Sequence, residues 1–349
     1  MRILLRFSLL SSIILLTALL ILPAAASAKP KAADLVRDGQ VIDLSQSKYK
    51  QLFRELERKH GFSRQELDQL FKGVTISKRV LELMDRSWEA KPYYKYFPLF
   101  ITPQNILNGK RKLKEHKQLL DRIEKKFGVD REIIVAIWAV ETRYGSNMGD
   151  FNIFKTLNTL FDAYPRRSEF FGKELVHFLA LCKENDIAPR QVNGSYAGAF
   201  GQAQFMPSSF RSYAVSFDGN KQCDIWNSVP DALASIAHYL QRHGWTLDTP
   251  IYADLGYELK DKRLIAAMNK GRKGRVAWRT VRDRQRADIP PSPGGRDLSI
   301  VELELNPQQS GHKFRYVAGY PNFQTITEYN HSNFYAMAVS ELAEAFGKP

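Results

Sequence analysis

Apolar residues recur at three- and four-residue intervals through most of residues 48–245, and this spacing limits the fold more than any other feature of the sequence. It places the apolar side chains on one face of an α-helix, and that face must pack against other helices. Gly61 and the Lys91-Pro92 and Phe97-Pro98 steps separate some of the segments. The predicted helices are Gln51–Lys59, Ser63–Leu70, Lys78–Glu89, Pro103–Phe127, Asp130–Tyr144, Ser168–Glu184, Pro207–Ala214 and Pro230–His243.

The pattern changes after residue 246, where apolar and polar residues begin to alternate as they do in half-buried strands. We interpret Leu247–Pro321 as a small β-rich insertion and Phe334–Phe346 as a helix that returns to the core. The fold class is therefore mainly α (α+β), with a small β-containing part. The predicted strands are Thr249–Gly256, Leu298–Leu305, His312–Val317 and Phe323–Ile326.

The amino terminus has the pattern of a secretory signal peptide over residues 1–28. Arg2 and Arg6 precede the largely apolar stretch Phe7–Leu22, and Ala26-Ser27-Ala28 is a small-x-small cleavage site. The alternative is an uncleaved membrane anchor, because the apolar stretch is long for a signal peptide. No Leu-x-x-Cys lipobox occurs, so the sequence predicts a periplasmic protein that is neither a lipoprotein nor stably anchored in the membrane.

The formal net charge of +14 favours an anionic polymer as a partner. The basic run of residues 270–286 can be a nucleic-acid-binding stripe or a solvated face that leans toward an anionic cell wall. Export favours the second interpretation and argues against nucleic acid. Cys182 and Cys223 are too few for a disulfide framework, and whether they pair stays open.

One carboxyl group lies where its pKa should be unusual. Glu141 is four residues after Ile137, so it falls on the apolar face of a helix that Asp130 can cap and Gly145 can end. Burial and the negative end of the helix dipole both raise a carboxyl pKa. A carboxylic acid that keeps its proton near neutral pH is what a glycosidase uses as its general acid. The alternative is a Glu that pairs with Arg143 or extends into solvent.

Residues 193–210 combine glycines with neutral polar and apolar side chains. Three glycines in eight residues let the backbone approach another segment or a ligand closely. Ser195, Gln202 and Gln204 offer hydrogen bonds to sugar hydroxyls and amides, and Phe205 and Met206 offer apolar contact. No Lys-Ser/Thr follows the glycines, so a phosphate-binding loop is excluded. The segment therefore suits a polysaccharide groove.

Taken together, these segments resemble the lytic murein transglycosylase B family. The match covers nearly all of the chain from about residue 100 onward, and its most specific elements read Glu-Thr-Arg-Tyr-Gly and Gly-Gln-x-Gln-Phe-Met-Pro-Ser-Ser. The resemblance implies a lysozyme-like helical catalytic core (126–246 plus 322–349), a helical N-terminal domain (29–125) and a small β-containing domain (247–321). The matching segments are Ala139–Gly145, Arg166-Arg167, Gly194–Ser209, Trp226–Trp245 and Ile326–Ala338.

The resemblance also implies the reaction, which is cleavage of the β-1,4 bond between N-acetylmuramic acid and N-acetylglucosamine in peptidoglycan. Glu141 would act first as acid and then as base, and the product would be a 1,6-anhydro sugar. Ser195 would hydrogen-bond the acid or the N-acetyl group, and Gln204 would line the groove beside it, with Met206 as a further substrate contact. Tyr239, Tyr329 and Asn330 would bind the muramoyl and neighbouring sugars. Arg166 and Arg167 match a pair that contacts the acidic peptide stem.

Some members of this family carry a calcium loop after the Phe-Met-Pro-Ser-Ser element. The corresponding stretch here begins with Ser216 and has Lys221 in place of the turn glycine. Asp218, Asn220 and Asp231 are the remaining candidate oxygen ligands. The carboxylates are few, so we expect weak calcium binding or none and no required cofactor.

The sequence is also compatible with two rival functions. A muramidase would use a second carboxylate to activate water, for which Asp150 and Asp162 are the candidates. A non-catalytic wall-binding protein would keep the groove and lose the chemistry. Glycan strands of peptidoglycan are the expected partner in all three cases, with other cell-wall enzymes as further candidates and a monomer as the expected state.

Overall fold

Helices dominate the computed structural model, which describes residues 31–85 and 91–347. The predicted signal peptide and the end of the predicted helix Lys78–Glu89 lie outside the described residues. The mainly α fold class with a small β-containing part is confirmed. In chain order the helices are α1 Ser47–His60, α2 Arg64–Phe71, α3 Lys78–Met84, α4 Tyr93–Tyr96, α5 Pro103–Glu115, α6 Lys117–Phe127, α7 Arg131–Thr142, α8 Ile153–Ala163, α9 Ser168–Glu184, α10 Pro207–Tyr213, α11 Val229–Arg242, α12 Lys262–Asn269, α13 Trp278–Gln285, α14 Pro307–Ser310, α15 Pro321–Tyr329 and α16 Asn333–Phe346.

Local signals in the sequence set several of these helix ends. Ser63 and Glu66 form a reciprocal capping box at the start of α2. Gly61 and Gly128 adopt the left-handed conformation that ends α1 and α6. The predicted helix Pro103–Phe127 is instead two helices, because the chain leaves helical geometry at His116. The break lets both α5 and α6 pack against α7.

Helix α7 lies at the centre of the protein. Its residues from Ile133 to Ala139 are all buried, and α5, α6, α11 and α16 pack around it. A helix that is apolar on every side is expected only where neighbours cover it completely. The hydrophobic core around α7 continues without interruption into the side chains of α1–α3, at the beginning of the described chain.

The last third of the chain forms a small antiparallel sheet and its covering helices. The strands β3 Tyr252–Gly256, β4 Ser299–Glu304 and β5 Phe314–Gly319 pair in the order β3-β5-β4, which confirms three predicted strands. Helices α12 and α13 have buried side chains in a second hydrophobic cluster with this sheet, so the segment is less purely β than predicted.

The predicted strand Phe323–Ile326 is wrong, because these residues lie in α15. Pro321 begins the helix, which is nine residues long and buries polar side chains such as Asn322 and Thr325, so its few apolar residues give little periodic signal. The predicted helix at Phe334–Phe346 is confirmed as α16. The domain boundaries proposed from the sequence stay a prediction. Within the described residues, no helix is long and apolar enough to cross a membrane.

The glycine-rich segment is held to the core through close backbone contacts. Two-residue strands β1 Phe151–Asn152 and β2 Asn193–Gly194 pair with each other, and Ser195 N–H donates to the Ala199 carbonyl at 2.7 Å. A Cβ atom at Gly194 would lie 2.2 Å from the Ala199 carbonyl oxygen. Only glycine fits there without a movement of the backbone.

Replacement of Gly194 by alanine should therefore lower the free energy of unfolding by about 1–3 kcal/mol, because the backbone of this turn must shift. The measurement is urea denaturation followed by circular dichroism. Asn193→Ala, on the exposed neighbouring residue, is the matched control and should change stability much less. Equal effects of the two variants would contradict the close-contact explanation.

Candidate active site

Glu141 lies in the last turn of α7, as predicted. The helix ends after Thr142, and Arg143, Tyr144 and Gly145 all have positive φ angles. Asp130 occupies the N-cap position, but its side chain does not cap the helix. Its carboxylate accepts a hydrogen bond from the Trp245 indole N–H at 2.8 Å instead.

Among the described residues, the Glu141 carboxyl group has one polar contact, a hydrogen bond of 2.6 Å that the Tyr335 hydroxyl donates to its Oε1. Burial raises the pKa of Glu141 to about 7, and the hydrogen bond from Tyr335 partly offsets this rise. Within the described chain Glu141 forms no ion pair, and Arg143 is exposed, so the alternative of a Glu141–Arg143 pair is excluded. The side chain is partly exposed, which leaves the acid within reach of a ligand.

Two tyrosines from the end of the chain complete this acid site. Tyr335 is buried in the first turn of α16, where its backbone N–H donates a hydrogen bond to the Ser332 hydroxyl, the N-cap of the helix. Tyr329, at the end of α15, donates a hydrogen bond of 2.6 Å to the Ala203 carbonyl. Its pKa is raised first by burial and then by the charge of Glu141, so the two groups are close. Sequence reasoning selected Tyr329 but missed Tyr335.

The polar side chains of the glycine-rich segment differ in how exposed they are. Ser195 accepts the Ala199 N–H at 3.0 Å, and Gln204 donates to the Met148 carbonyl at 3.1 Å, with both residues partly exposed. Gln202 is buried, and its amide accepts from Trp138 and donates to the Trp226 carbonyl. The expectation that Gln202 contacts a sugar is therefore wrong, because both ends of its amide hold the core together.

A groove of about 390 Å³ brings five of the predicted site residues together, and we call it the aromatic groove. Its walls combine an arginine, a thioether, two phenol rings and an amide, a mixture that can contact both faces and hydroxyls of a sugar. Tyr239 stacks on His243 and donates its hydroxyl proton to the Glu328 carbonyl. The five predicted residues in the groove are Arg167, Met206, Tyr239, Tyr329 and Asn330.

The two arginines of the predicted pair have different contacts in the structure. The Arg167 guanidinium lies over the Phe170 ring at 4.2 Å and lines the aromatic groove. Arg166 instead forms an ion pair of 2.9 Å with the nearly buried carboxylate of Asp85. The two neighbouring arginines therefore have different surroundings, and one of them is engaged by the protein itself.

Residues 45–344 match the family model described as Transglycosylase SLT domain. The chain belongs to this family. The chain is 35% identical over 305 residues to membrane-bound lytic murein transglycosylase B of Escherichia coli, and the match covers 84% of this chain and 81% of that protein. Membership of the family establishes that the chain is an enzyme of the lytic transglycosylase class, and it confirms the resemblance that the motifs indicated.

Solved structures of related proteins show the same fold. The Escherichia coli lytic transglycosylase Slt35 in complex with calcium matches with a TM-score of 0.75 and 34% identity, over 90% of this chain and 96% of that one. SltB3 of Pseudomonas aeruginosa in complex with NAG-anhNAM-pentapeptide matches with a TM-score of 0.69 and 33% identity, over 86% and 80% of the two chains. The lysozyme-like architecture expected from the resemblance is confirmed.

The loop of this transglycosylase that corresponds to the calcium loop does not fit a calcium ion. Asp231 is buried, and its two carboxylate oxygens accept the backbone N–H groups of Phe217, Asp218 and Asp224. Asp218 accepts from Asn220, and Lys221 adds a positive charge. The described residues contain no group of three His, Cys, Asp or Glu side chains that can hold a metal. Hydrogen bonds to Asp231 therefore organise this loop.

The two cysteines are both free thiols in the structure. Cys182 is buried within α9, and Cys223 donates to the Val215 carbonyl at 3.3 Å. Burial raises the pKa of each thiol to about 12, so neither is a reactive thiolate near neutral pH.

Tyr335→Phe should raise the pKa of Glu141 above its value of about 7, because the variant removes the hydrogen bond that stabilises the charged carboxylate. The measurement is an NMR titration of the Glu141 side chain labelled with ¹³C. Tyr329→Phe is the matched control, since its hydroxyl donates to Ala203 and not to Glu141. A Glu141 pKa that falls or does not move in Tyr335→Phe would contradict the assigned contact.

Proposed function

We propose that this enzyme cleaves the β-1,4 bond between N-acetylmuramic acid and N-acetylglucosamine in peptidoglycan and leaves a 1,6-anhydro-N-acetylmuramic acid end. The observation that carries the proposal is the environment of Glu141. Its pKa is raised to about 7 by burial, and the one opposing influence is the neutral Tyr335 hydroxyl. A single acid in this state can both give and take a proton near neutral pH.

In the proposed reaction, protonated Glu141 donates its proton to the glycosidic oxygen as the bond from C1 to that oxygen breaks. The carbonyl oxygen of the substrate's own N-acetyl group stabilises the positive charge that develops at C1. The Glu141 carboxylate then removes the proton of the C6 hydroxyl, and O6 bonds to C1. The acid recovers its proton, and no water is consumed. Tyr335 stabilises the carboxylate form between the two steps.

The environment of the other carboxylates supports this reaction over hydrolysis. A muramidase needs a second carboxylate close to the acid, and such a group would change the Glu141 pKa through its charge. No carboxylate in the described part of the chain contributes to that pKa. Asp150 is exposed, and Asp162 is held by Lys48 in an ion pair of 2.8 Å. Both candidates for a catalytic base are thus poorly suited to the role.

The aromatic groove supports a binding role for the residues it contains. We assign Met206, Tyr239, Tyr329 and Asn330 to the sugars and Arg167 to a carboxylate of the peptide stem. SltB3, a structural relative, has been solved with NAG-anhNAM-pentapeptide, a ligand of this chemistry. Ser195 and Gln204 do not line the aromatic groove, and we assign them to a neighbouring part of the substrate. Arg166 reaches the stem only if its ion pair with Asp85 opens.

An enzyme that acts on the proposed substrate must be exported, and the signal pattern of residues 1–28 predicts this export. We therefore assign the mature enzyme to the periplasm. Neither the substrate nor the reaction calls for a second subunit, so a monomer is the proposed working state.

Glu141→Gln should reduce the release of soluble fragments from purified peptidoglycan by about 10²- to 10⁴-fold, because the amide cannot donate or accept the proton. Mass spectrometry of the wild-type products should show ends lighter by one water than a reducing sugar. Asp150→Asn is the control and should change neither the rate nor the product. Reducing ends would identify a muramidase, and unchanged release by Glu141→Gln would identify another catalytic group.

The value of kcat/KM should fall as the pH rises through about 7, because the reaction begins with protonated Glu141. In Tyr335→Phe this falling limb should move to higher pH, since loss of the hydrogen bond favours the protonated form. Assays with soluble glycan fragments from pH 5 to about 9 test this. A rate that rises through pH 7 would mean that the free enzyme needs Glu141 as its carboxylate.

A further inference from the structure

Helices α12 and α13 carry an unusual concentration of positive charge. Residues 260–286 contain eleven Lys and Arg residues and two acidic residues, in a chain whose total formal charge is +14. Ten of the eleven basic side chains are exposed, and we call these ten the basic surface. The opposite sides of the two helices contribute Leu264 and Val281 to the small hydrophobic cluster. The charged side chains therefore extend from helices whose other sides are packed against the sheet.

Few acidic groups neutralise the basic surface. Asp261 lies 3.3 Å from Arg263 and 3.7 Å from Arg284, and Asp283 pairs with Arg282. Others, among them Lys262, Lys273 and Arg279, form no ion pair with any described residue. An exposed surface with excess charge of one sign attracts polymers of the opposite charge.

The segment between the two helices joins the basic surface to the aromatic groove. Arg272, which follows α12, forms an ion pair of 2.8 Å with Glu328, and Glu328 lines the groove. Tyr239 fixes the same residue by donating to its backbone carbonyl at 2.7 Å. Burial and then the charge of Arg272 hold the pKa of Arg275 below its ordinary value, so the cations crowd together at this edge.

We propose that the basic surface binds the carboxylate-bearing peptide stems of the same polymer whose glycan strand lies in the aromatic groove. This inference rests on the proposed function. A peptidoglycan strand carries stems with free carboxylates along its length, so a stem near the bound sugars lies beside the edge marked by Arg272 and Glu328. The continuity of groove and basic surface favours this partner over an anionic lipid surface, which would not need to lie next to the groove.

The basic surface should raise affinity by charge attraction at a distance from Glu141. Each exposed ion pair contributes little, but several of them act together on a polymer with repeated carboxylates. Their contribution should disappear in high salt, where charges on a protein surface are screened within a few ångströms. The surface should therefore affect binding to the insoluble polymer without affecting the bond-breaking step.

The test compares two triple variants, each with Glu141→Gln added so that no substrate is cut during binding. The first removes three cations of the basic surface through Lys262→Gln, Lys273→Gln and Arg279→Gln. The matched control removes three exposed, unpaired cations elsewhere through Arg58→Gln, Lys114→Gln and Lys125→Gln. The measurement is sedimentation with purified sacculi at low and high salt, repeated with sacculi whose stems an amidase has removed and with vesicles of anionic lipid.

We expect the basic-surface variant to bind intact sacculi about tenfold more weakly than the control at low salt. The two should bind equally at high salt and equally on sacculi without stems. Equal binding to intact sacculi, a difference that persists without stems, or a difference confined to vesicles would each overturn the proposal. If the control variant does not bind sacculi at all, the proposed function itself fails, and this outcome is distinct from the other three.

Discussion

A partly buried carboxyl group whose pKa is raised to near neutral pH is the constraint on which the proposed active site depends. In the folded protein the pKa of Glu141 is raised to about 7, whereas the ordinary pKa of a Glu side chain is 4.5. The folded state therefore binds this proton more tightly than the unfolded chain does. As the pH rises from about 4.5 to about 7, the free energy of unfolding loses about 3 kcal/mol from this group. The fold carries this cost at the proposed active site.

The surroundings of Glu141 come from three separate parts of the chain. Helix α7 brings the carboxyl group, the glycine-rich segment brings the backbone that Tyr329 binds at Ala203, and α16 brings Tyr335. The buried amide of Gln202 ties the second part to the first through Trp138. Contacts between distant parts of a chain resist small displacements, so the site's geometry depends on the packing of the whole core rather than on one loop.

The sequence was sufficient for features that depend on local pattern. The position of Glu141 in the last turn of α7 followed from apolar spacing, and the three strands of the sheet followed from alternation. Long-range contacts were different. Tyr335 lies 194 residues from Glu141, and a tyrosine in an apolar helix gives no signal of its partner. The strand predicted at Phe323–Ile326 failed because this short helix buries polar side chains and has too few apolar residues to show helical periodicity. The prediction that Gln202 contacts a sugar was wrong, because a polar residue next to glycines is equally typical of a ligand-binding segment and of a buried turn.

Three acidic residues show how the surroundings decide what a carboxyl group does here. Asp231 accepts three backbone N–H groups, so it organises a loop. Asp130 accepts from the Trp245 indole and joins the start of α7 to a distant turn. Among the described residues Glu141 has one hydrogen-bond donor, and burial outweighs it, so the pKa of the carboxyl group rises to about 7. The number of hydrogen-bond donors that the protein supplies therefore separates Glu141, the acid of the proposed reaction, from the two aspartates that hold the fold together.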